Sequence, residues 1–516
     1  MRLFTFPNPK GLLYIFMAII MVGCVDVSSE PDNPDEDRND RYLLINISET
    51  GGIYSRADYE FDSGTIEENA INDISFYLFK SDGSPYLMYQ PGESSGESSN
   101  RVVLQTEDSG KGMLSMLLIL GNPVNMNDGG LSRLIAVANL GNEGYQSSFE
   151  NLSMTDFSKK IIKLHPQSGN GIIMTSSTYF DGENRKIFWT DIAAVHLQST
   201  PGGAKENPVT VNLERIMAKV TVNVTPTSGA VDSNGRFKVA RKVLVGNDNV
   251  KEEKELFAEV LGWDLNATSN QTSLIKNVIP EKVPFASWNH PSLKRSYWAE
   301  IPSGTAPVKS FNWDGLSRSI GSSAYCYENT LQPKAVHFQD ATTDATKVLI
   351  KARITDSSGT PQDMVSLGGV LYETPVMKRW IAEVADPEGK DESKVRFVRR
   401  EETGKRHVVE AYYEDTKVEG FDNLRHWEDG ACYYVANLRH AFTSSSDTSE
   451  AVPVYGVVRN HSYMLNISSI AGLGTPGGKD DHDTPENPER QIDTTVKADV
   501  VILPWHLMSF DVDVET

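Results

Sequence analysis

Short runs in which apolar and polar residues alternate recur along the chain, separated by clusters of Gly, Pro, Asn and Asp. Alternation with a period of two is typical of β-strands that bury one face, and such clusters mark the turns between them. The segment 74–80 (ISFYLFK), followed by Asp82-Gly83 and then by 86–89 (YLMY), predicts a hairpin. Further strands are predicted at residues 113–120, 133–140, 218–224, 237–245, 347–355, 395–399, 433–436, 454–458 and 462–468.

Helical periodicity is scarce by comparison. Residues 250–261 (VKEEKELFAEVL) place their last four apolar residues on one stripe and end at Gly262, so a helix is predicted there, with a second at 156–164. Many short strands with few helices predict an all-β fold of antiparallel β-sandwiches. The length of 516 residues suits two such domains, with the boundary between Pro208 and Arg215, after the Pro- and Gly-rich stretch 199–208.

The first 24 residues predict an export signal rather than part of the fold. Arg2 and Lys10 precede the apolar run 11–22 (GLLYIFMAIIMV), which is too short to span a bilayer as a helix. Gly23 and a lone Cys24 follow, as bacterial lipoprotein processing requires. We interpret residues 1–23 as a lipoprotein signal peptide and Cys24 as the lipidation site. A plain secretory signal is the alternative.

Charge and cysteine content exclude several classes of function. The formal net charge of −21 repels phosphate backbones, so nucleic-acid binding is excluded. Residues 24–41 contain seven acidic residues and no aromatic residue, which predicts a solvated acidic tether. Three cysteines exclude a disulfide framework and a multi-cysteine metal site. Cys326 and Cys432 are either a disulfide or two buried thiols, since their spacing does not fix the pairing.

Three motifs resemble catalytic or ligand sites but lack the context that each requires. Residues 92–96 (GESSG) match a nucleophile elbow, yet no helix-forming run follows Ser94, so a polar hairpin loop is favoured. Gly472, Gly474 and Gly477 match a dinucleotide-binding pattern, but Pro476 prevents the helix that should follow. Residues 356–360 (DSSGT) resemble a cation-binding loop and suit a β-turn better. No catalytic residue, metal site or cofactor is predicted.

The two ends of the mature chain are unusual. Residues 42–48 (YLLINIS) place Leu43, Ile45 and Ile47 on one face of a predicted strand, and the accessible site Arg56-Ala57 follows a flexible Gly pair. At the other end, beyond Pro504, residues 505–515 alternate without interruption. Their apolar face consists of Met508, Phe510, Val512 and Val514.

Several segments resemble the fimbrillins, the type V pilins of anaerobic Gram-negative gut and oral bacteria. They are 134–140 (LIAVANL), 213–220 (LERIMAKV), 433–440 (YYVANLRH) and 455–474 (YGVVRNHSYMLNISSIAGLG). The chain is most similar to the major subunit of the minor fimbriae. The resemblance implies two tandem transthyretin-like Greek-key β-sandwich domains, at 57–212 and 213–503, export as a lipoprotein, and removal of the first strand (42–56) by an Arg-specific protease.

The same resemblance implies how subunits would assemble. Cys24 would carry the lipid, Arg56-Ala57 would be the scissile bond, and Leu43, Ile45 and Ile47 would leave with the removed strand. Residues 504–516 would be the donor strand that fills the vacated groove of the next copy. Arg38 and Arg41 are also cleavable, but cleavage there would leave the strand in place.

The predicted function is therefore a non-enzymatic structural subunit of a cell-surface fimbrium, favoured as a stalk subunit because no additional binding module is visible. Its partners would be copies of itself, anchor and tip subunits, the protease and, before processing, the outer membrane. A surface lipoprotein that binds glycan through an exposed aromatic platform is the main alternative. An esterase using Ser94 is a more distant one.

Overall fold

The structure is a computed structural model that describes residues 41–47, 64–91, 93–105, 115–124, 130–140, 146–163, 171–180, 185–245, 250–278, 299–305, 307–308, 312–330, 345–399, 408–444, 451–470, 472–478 and 496–504. The export signal, the acidic tether with Cys24, the Arg56-Ala57 bond and residues 505–516 lie outside the described residues.

Strands dominate the first part of the chain, where a three-stranded sheet of order β13-β1-β6 faces a sheet of order β14-β9-β7-β2-β5. The strands are β1 (Arg41–Ile47), β2 (Asp73–Lys80), β3 (Met88–Tyr89), β4 (Ser98–Ser99), β5 (Arg101–Gln105), β6 (Ser115–Leu120), β7 (Leu131–Ala138), β8 (Ile161–Ile162), β9 (Met174–Ser176), β10 (Tyr179–Phe180), β11 (Lys186–Ile187), β12 (Thr190–Asp191), β13 (Val209–Val211) and β14 (Leu213–Arg215). The inward side chains of both sheets form one apolar core, which includes Leu43, Ile74, Phe76 and Leu118.

The second part of the chain forms a six-stranded sheet of order β20-β18-β21-β15-β32-β34 and a larger sheet of order β25-β26-β28-β23-β24-β16-β17-β22-β29-β33. The strands are β15 (Met217–Val224), β16 (Phe237–Val245), β17 (Val250–Asn266), β18 (Thr268–Ser269), β19 (Thr272–Ser273), β20 (Pro307–Val308), β21 (Ser323–Tyr327), β22 (Lys347–Thr355), β23 (Met364–Leu367), β24 (Val370–Glu373), β25 (Val395–Arg399), β26 (Val409–Tyr413), β27 (Thr416–Lys417), β28 (Leu424–Trp427), β29 (Ala431–Asn437), β30 (Arg439–Ser444), β31 (Ala451–Tyr455), β32 (His461–Ile470), β33 (Thr475–Pro476) and β34 (Val496–Pro504). Their shared core includes Val220, Trp263, Ile350 and Tyr463.

Four short α-helices occur among the described residues: α1 (Ile66–Asn69), α2 (Met154–Ser158), α3 (Pro201–Glu206) and α4 (Thr374–Ala385). The predicted all-β fold of packed sheets is thereby confirmed. The helix predicted at 156–164 corresponds to α2, which begins earlier and ends at Ser158.

The helix predicted at 250–261 is wrong, because these residues belong to strand β17. β17 pairs with β16 along one edge and with β22 along the other, so its backbone groups are satisfied by two neighbours instead of within a helix. Tertiary pairing overrides the local helical spacing. Gly262, which was expected to end the helix, lies beside a bulge where an added Cβ would stand 2.7 Å from the carbonyl oxygen of Leu316.

Residues between β22 and β29 extend the larger sheet instead of forming a separate module. Strands β23 to β28 continue that sheet through the parallel pair β16 and β24, and α4 packs beside them. This extension has its own apolar core, which includes Met377, Ile381 and Phe421. Of this extension, the sequence predicted only strand β25 (395–399), which is confirmed, and α4 was not predicted.

Candidate functional site: the β1 slot

β1 is the central strand of its sheet and is bonded along both edges. It runs antiparallel to β6, with Leu43 opposite Leu118 and Ile45 opposite Met116. On its other edge it runs parallel to β13, with Ile45 beside Val209 and Ile47 beside Val211. We call the space between β6 and β13 that β1 fills the β1 slot.

The predicted inward face of β1 is fully enclosed. Leu43, Ile45 and Ile47 are each 0% exposed and belong to the core shared by the two sheets of the first part of the chain. Full burial of an aliphatic side chain contributes about 1.5 to 3 kcal/mol. The structure thus brings together the three residues that the sequence placed on one face.

A fourth position on the same face of β1 is occupied by a polar residue. Arg41 pairs with Leu120 of β6, and the alternation of the strand puts it on the side of Leu43. Arg41 is exposed, whereas Leu120 is buried. The β1 slot therefore offers four inward positions, of which β1 fills three with apolar side chains.

The outward face of β1 carries a smaller apolar surface. Tyr42 lies opposite Ile119, and Leu44 opposite Leu117. Ile119 is 44% exposed, so this face is open to solvent beside β6. Near the end of the strand, the Ser115 hydroxyl donates a hydrogen bond of 2.8 Å to the Asn46 side chain.

Residues 198–208 hold β1 on the edge opposite β6. The Tyr42 and Gln198 backbones exchange hydrogen bonds of 2.8 and 3.0 Å. Between Gln198 and β13 the chain forms α3, which contacts β1 and is capped by Thr200, whose hydroxyl accepts from the Gly203 amide at 3.1 Å. Together with β13, these contacts pair the backbone of β1 along the edge that faces away from β6.

The predicted donor residues Met508, Phe510, Val512 and Val514 lie outside the described residues, beyond β34. β34 pairs with β32 at one edge of the six-stranded sheet. The predicted processing residues Arg56 and Ala57 fall in the stretch between β1 and α1 that is likewise not described.

The motifs that resembled catalytic sites are structural turns. Ser94 lies in the loop between the paired strands β3 and β4, as the predicted hairpin requires. In the 356–360 segment, Gly359 donates a backbone bond of 3.0 Å to Asp356, and the Asp356 carboxylate accepts from Ser358 and Thr360, so the preferred β-turn is confirmed. Gly472 to Gly477 contain strand β33 and no helix. Among the described residues, no group of three or more His, Cys, Asp or Glu side chains is placed to hold a metal ion.

Cys326 and Cys432 are both buried and both free, so the alternative of two buried thiols holds. Burial raises the pKa of each thiol to about 12. Within the described ranges, none of the helices has the length and apolarity needed to cross a membrane.

The structure shows two buried charge clusters that the sequence did not identify as sites, and the first of them joins the two parts of the chain. In the first, Glu68 of α1 meets Lys219 of β15, with Nζ to Oε1 at 3.0 Å. In the second, Arg459 and Glu328, both 0% exposed, form a two-bond ion pair of 2.6 and 2.9 Å. The capping-box pattern Thr65-x-x-Glu68 could have predicted the start of α1. No sequence pattern identifies the residues that contact Glu68 from distant parts of the chain.

Two family models match the chain. Residues 53–241 match the fimbrillin-A associated anchor proteins Mfa1 and Mfa2, and residues 425–511 match the C-terminal part of the major fimbrial subunit protein type IV, fimbrillin. The predicted resemblance to the fimbrillins is confirmed by these matches, which indicate a fimbrial structural protein of the cell surface.

Several solved structures match the chain at low sequence identity and low TM-score. A fimbrilin (fimA) from Porphyromonas gingivalis W83 is 12% identical, with a TM-score of 0.40 over 90% of this chain and 97% of that one. The tip fimbrial protein Mfa3 of the same species is 13% identical, with a TM-score of 0.36 over 90% and 100%. The anchor protein Mfa2 is 8% identical, with a TM-score of 0.22 over 73% and 97%. No curated protein matches the chain.

Proposed function

We propose that this protein is a structural stalk subunit of a fimbrium that polymerises by donor-strand exchange. It would be exported as a lipoprotein through Cys24, cleaved between Arg56 and Ala57, and joined to the next copy by residues 504–516. The observation that carries the proposal is that β1, which precedes the candidate cleavage site, is a central strand with three fully buried side chains. Its removal would open a groove with two unpaired strand edges.

Cleavage would act by ending the covalent attachment of β1 to the rest of the chain. While β1 is covalently attached, its effective concentration at the β1 slot is high, and a strand from another copy cannot compete. After cleavage, β1 is a dissociable peptide. The freed edges of β6 and β13 would then expose unpaired backbone groups beside apolar side chains, which is the setting in which strand addition occurs.

The four inward positions of the β1 slot match the four apolar residues of the donor. If the donor runs in the direction of β1, then Phe510, Val512 and Val514 replace Leu43, Ile45 and Ile47. Met508 takes the position of Arg41, beside the buried Leu120. Contact between Met508 and Leu120 would add apolar burial that the exposed Arg41 does not supply, which favours the donor over β1. Slow release of the paired strand would make the fibre kinetically stable.

The remaining roles follow from the same scheme. Acyl chains on Cys24 would hold the precursor at the outer membrane, with each buried methylene contributing about 0.8 kcal/mol. An Arg-specific protease would release it, and the mature chain would bind further copies, anchor subunits and tip subunits in a fibre that supports adhesion or biofilm. The stalk position is favoured because the chain combines a candidate Arg site with an exchangeable strand, and because the extension 356–430 continues the main sheet. No enzymatic activity is assigned.

Substitution of the candidate scissile Arg tests this proposal. Arg56→Ala should leave lipidated monomer and no polymer ladder on a denaturing gel, because β1 stays tethered. Arg38→Ala and Arg41→Ala are matched controls that should assemble normally. Deletion of residues 505–516 should leave a processed, folded monomer. Normal fibres from Arg56→Ala would refute the site, and normal fibres from the deletion would refute the donor.

One observation favours the second candidate, a glycan-binding surface lipoprotein. Trp380 of α4 is 41% exposed and stacks edge to face on Phe421 at 5.0 Å, with Tyr372 at 5.8 Å. Exposed aromatic rings of this kind can pack on the apolar face of a sugar. Sugar binding by an unprocessed monomer that Trp380→Ala abolishes would favour this candidate over the fimbrial subunit.

A further inference from the structure

Helix α1 begins the described chain after the candidate cleavage site, and its start is fixed by a capping box. The Thr65 hydroxyl accepts from the Glu68 amide at 3.2 Å, and the Glu68 carboxylate accepts from the Thr65 amide at 2.7 Å. The Glu68 side chain is only 3% exposed. Its burial requires partners beyond the helix.

Those partners come from the second part of the chain. Lys219 of β15 places Nζ 3.0 Å from one carboxylate oxygen and 3.2 Å from the other. The Tyr325 hydroxyl of β21 donates to the same carboxylate. Lys219 and Tyr325 are themselves opposite each other in the sheet, so the two donors form one platform beneath Glu68.

Arg215 strengthens the same connection. This fully buried residue lies where the chain passes from β14 to β15, and its side chain donates to the Glu68 carbonyl at 3.2 Å and to the Asn69 side chain. Its own amide donates to the Asn460 side chain at 3.1 Å. The backbone and side chain of α1 are therefore both held by residues outside the sheet that contains β1.

α1 leads directly into the core that β1 completes. Ile71, two residues after the helix, and Ile74 of β2 belong to the same buried cluster as Leu43, Ile45 and Ile47. Asn139 fixes the connection, since its side chain donates to the Ala70 carbonyl at 2.8 Å and accepts from the Asn72 amide at 2.8 Å. Loss of β1 would leave this cluster open on one side, while the contacts of Glu68 with Lys219, Tyr325 and Arg215 would persist.

We propose that Glu68 is a positioning residue that keeps α1 and β2 in place while the β1 slot is empty, by holding the new N-terminal end of the chain to β15 and β21. This inference rests on the proposed removal of β1. In the intact chain, β1 belongs to the same buried cluster as Ile71 and Ile74 and helps to keep them in place. In the strandless intermediate, the Glu68 platform is what retains β2 in register with β7.

Amide hydrogen exchange in β2 before and after release of β1 tests the inference. A site-specific protease sequence is inserted after Gly52 of the full chain, so that the measurement does not depend on which Arg is cleaved naturally. β1 is then released by cleavage and gel filtration at a concentration that keeps the chain monomeric. Glu68→Gln should raise β2 exchange by about tenfold or more relative to wild type in the strandless form, and by much less in the intact form.

Glu67→Gln is the matched control, because Glu67 is the exposed neighbour on the same helix and should leave exchange unchanged in both forms. Tyr325→Phe removes only one hydroxyl donor to Glu68 and should raise β2 exchange in the strandless form by a smaller factor. If Glu68→Gln does not fold, this second variant tests the inference. Two results would overturn this inference without affecting the proposed function. One is equal β2 exchange in the Glu67 and Glu68 variants after β1 release, and the other is an effect of Glu68→Gln on β2 exchange that is equal with and without β1. Retention of the β1 peptide after cleavage would overturn the proposed function and this inference together.

Discussion

Leu43 of β1 lies directly opposite Leu118 of β6, and both side chains are 0% exposed. This cross-strand pair joins the segment that precedes the candidate cleavage site to the wall of the β1 slot. The neighbouring pair on the other face, Tyr42 and Ile119, has an exposed member. Adjacent residues of β6 therefore provide a matched test of the slot.

Leu118→Ala should destabilise the unprocessed chain by about 2 to 5 kcal/mol, because it leaves a cavity in a closed core. Ile119→Ala should cost much less than Leu118→Ala, since the Ile119 side chain is 44% exposed and its loss leaves no closed cavity. Urea denaturation measures both. The same Leu118 variant should shed subunits from assembled fibres at lower denaturant concentrations than wild type. Equal stabilities of the two variants would contradict the assignment of the slot wall.

The ion pair between Arg459 and Glu328 should behave as a buried pair. Arg459 also donates to the carbonyl oxygens of Ser273 and Leu274, at 2.5 and 3.0 Å, next to strand β19, which pairs with β8 of the first part of the chain. Arg459→Met should cost about 3 to 5 kcal/mol, because it removes the guanidinium that pairs with the buried Glu328 carboxylate. Adding Glu328→Gln should recover part of that loss in a double-mutant cycle. A single-variant cost near zero would show that the pair is dispensable.

His461 should make stability depend on pH in a defined window. Burial, and then the nearby Lys276, lower the pKa of His461 from 6.5 to about 3. Its Nδ1 lies 2.8 Å from the Arg459 carbonyl, so the neutral ring donates there. Between those two pH values the unfolded chain binds a proton that the folded chain does not. Stability therefore falls as the pH is lowered below 6.5, by at most about 1.4 kcal/mol per pH unit.

The contribution of His461 is separated from that of the other histidines by comparing wild type with a variant that lacks only His461. The pKa of Asp356 is held below its ordinary value of 3.8, chiefly by the Ser358 hydroxyl. Protonation of this carboxylate therefore destabilises the fold only below the window used here. Unfolding free energies of wild type and His461→Gln measured between pH 7.5 and 5 check the prediction. The variant should show a flatter profile, and parallel profiles would contradict it.

Cys326 and Cys432 should be unreactive in the folded protein. Both thiols are buried, and a pKa of about 12 leaves almost no thiolate near neutral pH. An aromatic disulfide reagent should label neither residue in native mature protein and both after unfolding in urea. Rapid native labelling, or a mass showing an internal disulfide, would contradict the free buried state.

The strands were predictable because runs of apolar and β-branched residues recur between turn signals, with strict alternation where one face is buried and a nearly continuous apolar run where both are, as in β2. β2, β7, β15, β22 and β32 all lie where the predicted segments place them. β17 was not predictable, because its apolar residues at 256, 257, 260 and 261 suit a helical stripe as well as a strand with a bulge. Only the neighbouring strands β16 and β22 decide between the two.

The inward face of the β1 slot was predictable because Leu43, Ile45 and Ile47 occupy every second position of an extended segment. The charge clusters were not. Glu68 and Lys219 are 151 residues apart in the sequence, and Arg459 and Glu328 are 131 apart. Nothing in the sequence therefore distinguishes these four residues from ordinary surface charges. The segment 455–474 that carried the family resemblance contains Arg459, His461 and Tyr463, and the structure shows all three buried.

The central claim is that the mature subunit lacks β1. The most direct test is to determine the N-terminal residue of the protein in fibres purified from the cell surface. The account predicts Ala57, in material that forms a ladder of polymers on a denaturing gel. Surface protein that begins at acylated Cys24, retains Leu43, Ile45 and Ile47, and stays monomeric after treatment with an Arg-specific protease would contradict it.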